Sequence, residues 1–265
     1  MTLQYHVPDS APADPLLTKL QLFAELSPEE YAGLAELCGR KQTMPAQSDL
    51  PLDDEVGRCA YILLSGWAIR YKLLADGRRQ ILNFGLPGDF LGIRSGLFGI
   101  TDQAIAGLTD LHVAVVPIPA LTALFGRNPR LAAAINWSSA REEAILAEHV
   151  VRLGRRDAYE RLAHLLIELW HRLDVVGHCD HGGFDLPATQ EVLADALGLS
   201  VVHVNRTLRR LRGDGLITLE NGRLDLHDPQ ALADIAGFES PWLNEDLIPD
   251  RVRDGLDQST VEAAS

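Results

Sequence analysis

Leu186–Asp228, LPATQEVLADALGLSVVHVNRTLRRLRGDGLITLENGRLDLHD, decides how the rest of the chain is read. Val192, Leu193, Ala196 and Leu197 recur at helical spacing behind Thr189, a good N-terminal cap, and Gly198 supplies a stop. Ser200 can cap a second helix, whose Val204, Leu208 and Leu211 recur at i, i+4 and i+7 and bury against the first. Ala194 is small where the two must cross closely. So short a turn forbids antiparallel packing, and the pair must cross steeply as a helix-turn-helix. Leu216–Leu219 and Arg223–Leu226 then alternate around Glu220-Asn221-Gly222, and Asn-Gly is the strongest short signal for a tight hairpin. Two helices followed by a hairpin predict a winged helix.

The outer face of the second helix carries Val202, Arg206 and Arg209 at i, i+4 and i+7, with Arg210 and Arg212 on its flanks. No acidic residue interrupts Ser200–Arg212, although the whole chain has a formal net charge of -13. A local positive field built against that balance is what attraction to phosphate requires. A helical subdomain with a merely solvated arginine face is the plainer alternative.

At 265 residues the chain has room for two domains with separate cores. No apolar run approaches the roughly 20 residues needed to span a bilayer, and MTLQYHVPDSAPADP lacks a secretion signal's basic start and apolar centre. No membrane association and a cytoplasmic location are the expectation. Cys38, Cys59 and Cys179 are far apart and form no CxxC pair, so neither a disulfide framework nor a zinc knuckle is indicated. The overall acidity argues against non-specific coating of nucleic acid, and not against a sequence-specific reader.

In chain order, residues 1–15 read as a flexible arm. Leu16–Leu37 reads as short helices, the second starting at Ser27-Pro28-Glu29-Glu30, where serine caps and proline suits the first position. Tyr61–Leu64, Trp67–Tyr71, Gln80–Phe84 and Leu111–Val116 are short strands divided by turns at Ser65-Gly66, Asp76-Gly77, Pro87-Gly88-Asp89 and Asp110. Residues 16–127 are therefore an antiparallel barrel or sandwich, with an interior that can admit a small ligand. Residues 128–153 form a long helix with Leu131, Ala134, Ile135, Ile145, Leu146, Val150 and Leu153 as apolar positions and a polar centre, Ser138–Glu143. Such a helix either pairs with its twin in a dimer or packs on its own barrel. Gly154–Asp157 is the expected hinge into a DNA-reading unit, 154–237, through the helical stretch Ala158–Leu173 and a loop, Val175–Gly183. An acidic tail, 238–265, follows.

This order resembles the bacterial Crp/Fnr superfamily of transcription regulators, over roughly Leu16–Gly237. The pieces that carry the resemblance are Gly198-Leu199-Ser200 with His203–Leu208, Leu216-Ile217 before the wing, and the turns Leu64–Gly66, Asp76–Arg78 and Pro87–Gly92. The resemblance implies an α+β fold: an N-terminal antiparallel β-roll of jelly-roll type, a long dimerisation helix and a C-terminal winged helix-turn-helix. It also implies a homodimer on a palindromic operator in double-stranded DNA, with RNA polymerase and a small-molecule effector as further partners. The cofactor and the effector stay unknown.

Arg206 matches the arginine that reads a guanine, and a guanidinium can make two hydrogen bonds to that base's major-groove edge. Val202 and Arg209 share its face. Thr189, Ser200 and His203 match positions that touch phosphate, and Arg210 is assigned there too. Many members carry glutamate at the position of Val202, whereas a valine can only touch a thymine methyl. In the sensor, Gly88, Gly92 and Ile93 mark the expected effector pocket. Ile93 stands where cyclic-nucleotide binders have a ribose-holding glutamate, and Ser95–Val116 contains no lysine or arginine for a phosphate. Arg94 is the only cation foreseen nearby, so gating by cyclic AMP is not expected.

Four thiolates for an iron-sulfur cluster are missing. His112 as a haem ligand, Cys38 with Cys59 as a redox pair and His171, His178 and His181 as a metal site are each weaker than a structural role. A ligand-binding module whose winged helix holds a protein partner is the alternative function. An enzyme is not expected, since neither HExxH nor a phosphate-binding glycine loop occurs.

Overall fold

A computed structural model describes residues 14–23, 25–54, 57–100 and 102–239. The expected arm, up to residue 13, and the tail from residue 240 lie outside the described residues.

Two short helices come first, α1 (Pro15–Gln21) and α2 (Pro28–Leu37). Ser27 and Glu30 close a capping box at the start of α2, each side chain bonding the other's backbone N–H. The roll follows: β1 (Lys41–Met44), β2 (Asp53–Asp54), β3 (Gly57–Ser65), β4 (Ala68–Leu73), β5 (Arg79–Gly85), β6 (Phe90–Leu91), the short helix α3 (Ile93–Phe98), β7 (Ala104–Gly107) and β8 (Leu111–Pro117). Three of the four anticipated strands fall within β3, β5 and β8, and the fourth, Trp67–Tyr71, overlaps β4, which begins one residue later at Ala68. The shorter β1, β2, β6, β7 and α3 carry too few residues for a period to show.

One sheet orders β1-β8-β3-β2, with β6 also on β3, and the other orders β5-β4-β7, all antiparallel. Alternation along β3 decides what each face meets. Cys59, Tyr61 and Leu63 turn into the roll with Ala68, Ile105, Leu111, Val113 and Val115. Ala60 and Ile62 turn outward with Ala114 and Val116. These outer residues are covered by Leu16, Leu20, Leu34 and Leu37 of the first helices, by α4 (Ile118–Arg127) and by α5 (Pro129–Arg155). Cys38 belongs to the outer cluster and Cys59 to the inner one, so the redox pair is not assembled.

The first half of α5 packs on its own roll through Leu131, Ala134 and Ile135; further along Ile145 is buried too, while Val150 and Val151 are exposed. α5 runs through the foreseen hinge as far as Arg155. Only Arg156 and Asp157 separate it from α6 (Ala158–Asp174), which Asp157 caps with its own capping box.

The C-terminal unit continues with β9 (Gly183–Asp185), α7 (Gln190–Leu197), α8 (Val201–Gly213), β10 (Ile217–Glu220), β11 (Arg223–Leu226) and α9 (Pro229–Ala236). β9, which begins at Gly183 where the loop read from sequence ends, pairs with β11 and makes the wing three-stranded. The unit does not stand apart. Ile69, Ile81 and Phe84 of the β5-β4-β7 sheet, with Trp67 just before β4 and Leu86 just after β5, share one apolar core with Leu162, Leu166, Leu193, Leu197, Leu208 and Leu224. Arg79 pairs with Asp195 across the same seam at 2.8 Å.

Candidate nucleic-acid interface

Every local device expected in the winged helix is present. Thr189 Oγ1 accepts the Val192 N–H at 3.2 Å, and Ser200 Oγ accepts the His203 N–H at 3.3 Å. Each cap satisfies a donor that the helix leaves unpaired. Gly198 closes α7 in the left-handed region at φ 62°. Val204, Thr207, Leu208 and Leu211 bury one side of α8 against α7, where Ala194 is buried and Asn205 donates to Gln190 at 3.0 Å. Asn221 and Gly222 have φ of 51° and 82°, the double left-handed pair of a type I′ turn, and Glu220 faces Arg223 across it.

With that side of α8 buried, the opposite side is presented outward. Val202 is 78% exposed, and His203, Arg206 and Arg209 are exposed beside it. Among the described residues no carboxylate is paired with Arg206 or Arg209. Arg210 is placed differently: its guanidinium lies 4.0 Å from the Tyr159 ring centroid and 3.8 Å from Asp214, to which the Tyr159 hydroxyl donates at 2.5 Å. Arg212 Nε turns back to the Leu208 carbonyl at 3.4 Å.

The second feature is a cavity of about 500 Å³ between the roll and α5. Gly92 and Ile93 line it, together with Arg70, Arg94, Phe98 and Glu142. Gly88 does not line it: a Cβ there would stand 2.6 Å from the Pro15 carbonyl, so this glycine allows α1 to close on the turn. Arg94 is held by Asp102 at 2.9 and 3.3 Å. Arg70, on β4, is a second cation in the cavity that sequence distance concealed, and its Nε is buried without a hydrogen-bond partner. Burial, with Asp89 nearby, pushes the Glu142 carboxyl up despite Arg172 and Arg70.

Other tempting groups are occupied structurally. His112 is exposed on β8 with Thr43 Oγ1 at 3.1 Å from Nδ1, and His171 stacks on Phe238 at 5.3 Å. Among the described residues no three metal-ligating side chains converge, and no helix is long and apolar enough to cross a membrane.

A helix-turn-helix with a wing, joined by a long helix to a β-roll, is the architecture of a DNA-binding transcription regulator. Residues 160–235 match the Crp-like helix-turn-helix domain, and residues 41–128 match the cyclic nucleotide-binding domain. The nitrogen fixation regulation protein FixK of Bradyrhizobium diazoefficiens is 34% identical over 76% of this chain and 84% of its own length. The transcriptional activatory protein AadR of Rhodopseudomonas palustris is 31% identical over 80% of this chain and 87% of its own. The solved structure of FixK2 from Bradyrhizobium japonicum superposes with a TM-score of 0.66 at 29% identity, covering 75% of this chain and 98% of that one. The chain belongs to the Crp/Fnr family of transcription regulators.

Proposed function

We propose that this regulator works in the cytoplasm as a homodimer, offering two copies of α8 to successive major grooves about 34 Å apart on an interrupted palindrome. The observation that carries the reading is the outward face of α8, where Val202, Arg206 and Arg209 are exposed on a helix whose caps and buried side hold it rigidly. Arg206 reads guanine, Val202 rests on a thymine methyl, and Arg209 reaches a neighbouring base. Thr189, Ser200, His203 and Arg210 touch phosphates. Each cap hydroxyl accepts from its own helix and keeps a proton to donate outward. Pairing through α5 is supported by Ala140, Ala147, Val150 and Val151, which are exposed on the side away from the buried Arg141 and Ile145.

The cavity beside α5 takes the effector. Ile93 in place of a ribose-binding glutamate, Arg94 committed to Asp102 and Glu142 on the wall support a molecule other than cyclic AMP. AadR and the FnrL protein of Cereibacter sphaeroides are named as activators, which supports activation through contact with RNA polymerase.

Selection from a random duplex pool at two salt concentrations, with sedimentation of the free and bound protein, tests this function. The expected result is enrichment of an inverted repeat bound by two copies. Enrichment of single unpaired sites, or salt-dependent binding with no sequence preference, contradicts it.

A further inference from the structure

Arg172 belongs to α6, the first helix of the DNA-reading unit, yet its side chain is 3% exposed and lies against the sensor. Its Nη2 donates to the Phe84 carbonyl at 2.8 Å and to Asp89 Oδ2 at 2.9 Å, and its Nη1 donates to Asn83 Oδ1 at 3.1 Å. Glu168, one turn earlier, stands 3.4 Å from Nη1, and Glu142 of α5 stands 3.6 Å from Nη2. Two of these partners are tied further out. Asp89 also binds Lys19 of α1 and accepts the Leu86 N–H at 2.7 Å, while Glu168 binds Arg152 of α5. One guanidinium therefore bridges β5, the Pro87-Gly88-Asp89 turn and α5 to the helix on which the DNA-reading unit is built.

Stability alone is a poor explanation for so many buried charges, because well-packed apolar side chains of similar volume commonly do as well or better. What a planar fork adds is direction. Its donors accept only a narrow set of angles, whereas apolar faces such as Trp67 and Phe184 tolerate sliding and rotation. The seam between sensor and DNA-reading unit is thus held together by the apolar core and aimed by the polar hub.

We propose that Arg172 is the positioning residue that fixes the angle at which α8 is presented to DNA, and that Glu142 is the point where the cavity acts on it. Asn83 Nδ2 donates to Glu142 Oε2 at 2.6 Å while Asn83 Oδ1 takes Arg172, so Glu142 is joined to the hub directly and also forms part of the cavity wall. A molecule that engages Glu142 from the cavity side competes with Arg172 and Asn83 for the same carboxylate. In a homodimer, on which this inference rests, a change in that angle alters the separation of the two recognition helices.

The test uses the full chain, as Arg172→Lys and Glu142→Gln, on duplexes that keep the selected half-sites and vary the spacer one base pair at a time. Lysine keeps the charge and loses the fork; glutamine keeps the shape and loses the charge. Both variants are expected to keep the half-site preference and to lose the wild-type spacer preference, by roughly tenfold relative to a neighbouring spacing. Unchanged spacer preference in both variants, or an equal loss at every spacing, overturns the proposal, because a merely stabilising hub weakens all spacings alike. If thermal melts show that Arg172→Lys does not fold, Glu142→Gln decides alone. Failure of the DNA-binding reading itself is distinct, since the wild type would then select no half-site.

Discussion

Trp67, just before β4 of the roll, and Phe184 of the wing stack with centroids 6.2 Å apart and ring planes inclined by 17°. Two units read from sequence as separate domains are thereby sealed by one core. Trp67→Ala removes the largest side chain at this seam and should cost about 3–5 kcal/mol. Calorimetry should then show two transitions, the roll and the DNA-reading unit melting separately. A single transition at the wild-type temperature would show that the stack contributes nothing to holding the units together.

Arg210 stacks on Tyr159, and the phosphate contact proposed for it would compete with that stack. The exposed stack is worth roughly 0.5–1 kcal/mol. Tyr159→Leu frees the guanidinium, so it should leave the fold slightly less stable and make the slope of log affinity against log salt steeper by up to about one unit. An unchanged slope would mean that Arg210 already leaves Tyr159 when DNA is bound.

His149 and His164 face each other's neighbourhood at the α5–α6 junction. Burial first, then Arg152, pushes the His149 imidazole down to about 4 and the His164 imidazole down to about 2. Arg156 adds to the pressure on His164, whose Nε2 lies 3.4 Å from Glu148. The unfolded chain binds these protons near pH 6.5 and the folded chain does not, so stability is whole above that value and falls as the solution is acidified. Between pH 7 and 5 the loss should be about 2 kcal/mol for each imidazole. Glu142, whose carboxyl is pushed up, offsets part of it. Denaturant melts at the two pH values should show the decline, and His149→Gln with His164→Gln should flatten it. A melt independent of pH in the wild type would contradict this burial.

Val202 is the residue most open to a change of specificity. Val202→Glu supplies an acceptor for a cytosine amino group, worth roughly 1–3 kcal/mol of discrimination. The selected base at one position of each half-site should move from thymine to cytosine while the guanine read by Arg206 stays. Loss of preference across the whole half-site would place α8 differently on the duplex.

The winged helix was legible because its signals are local. Thr189, Gly198, Ser200 and Asn221-Gly222 each act within a few residues of themselves, and the apolar spacing of Val204, Leu208 and Leu211 shows which side of α8 is buried. The hub was invisible for the opposite reason: Arg172 meets Asp89 across 83 positions and Asn83 across 89. Charged residues in a helix and a turn read as solvated when taken singly. Arg70 was missed in the cavity because the fold, not spacing, brings β4 beside α3 and α5. Gly88 sat in the right motif and faces α1 instead, a distinction that only the approach of Pro15 reveals. The polar centre of α5 is explained by the cavity, which Ser138, Ser139, Glu142 and Glu143 line, and by Arg141, which is buried with its guanidinium over the Trp137 ring.

The most direct measurement compares Arg206→Ala with the wild type on the selected operator and on a scrambled duplex, at one salt concentration. The account predicts that affinity for the operator falls by about 1–3 kcal/mol toward the scrambled level while the melting temperature is unchanged, because Arg206 is exposed and holds no partner within the described residues. An Arg206→Ala protein that still prefers the operator as strongly as the wild type would contradict it.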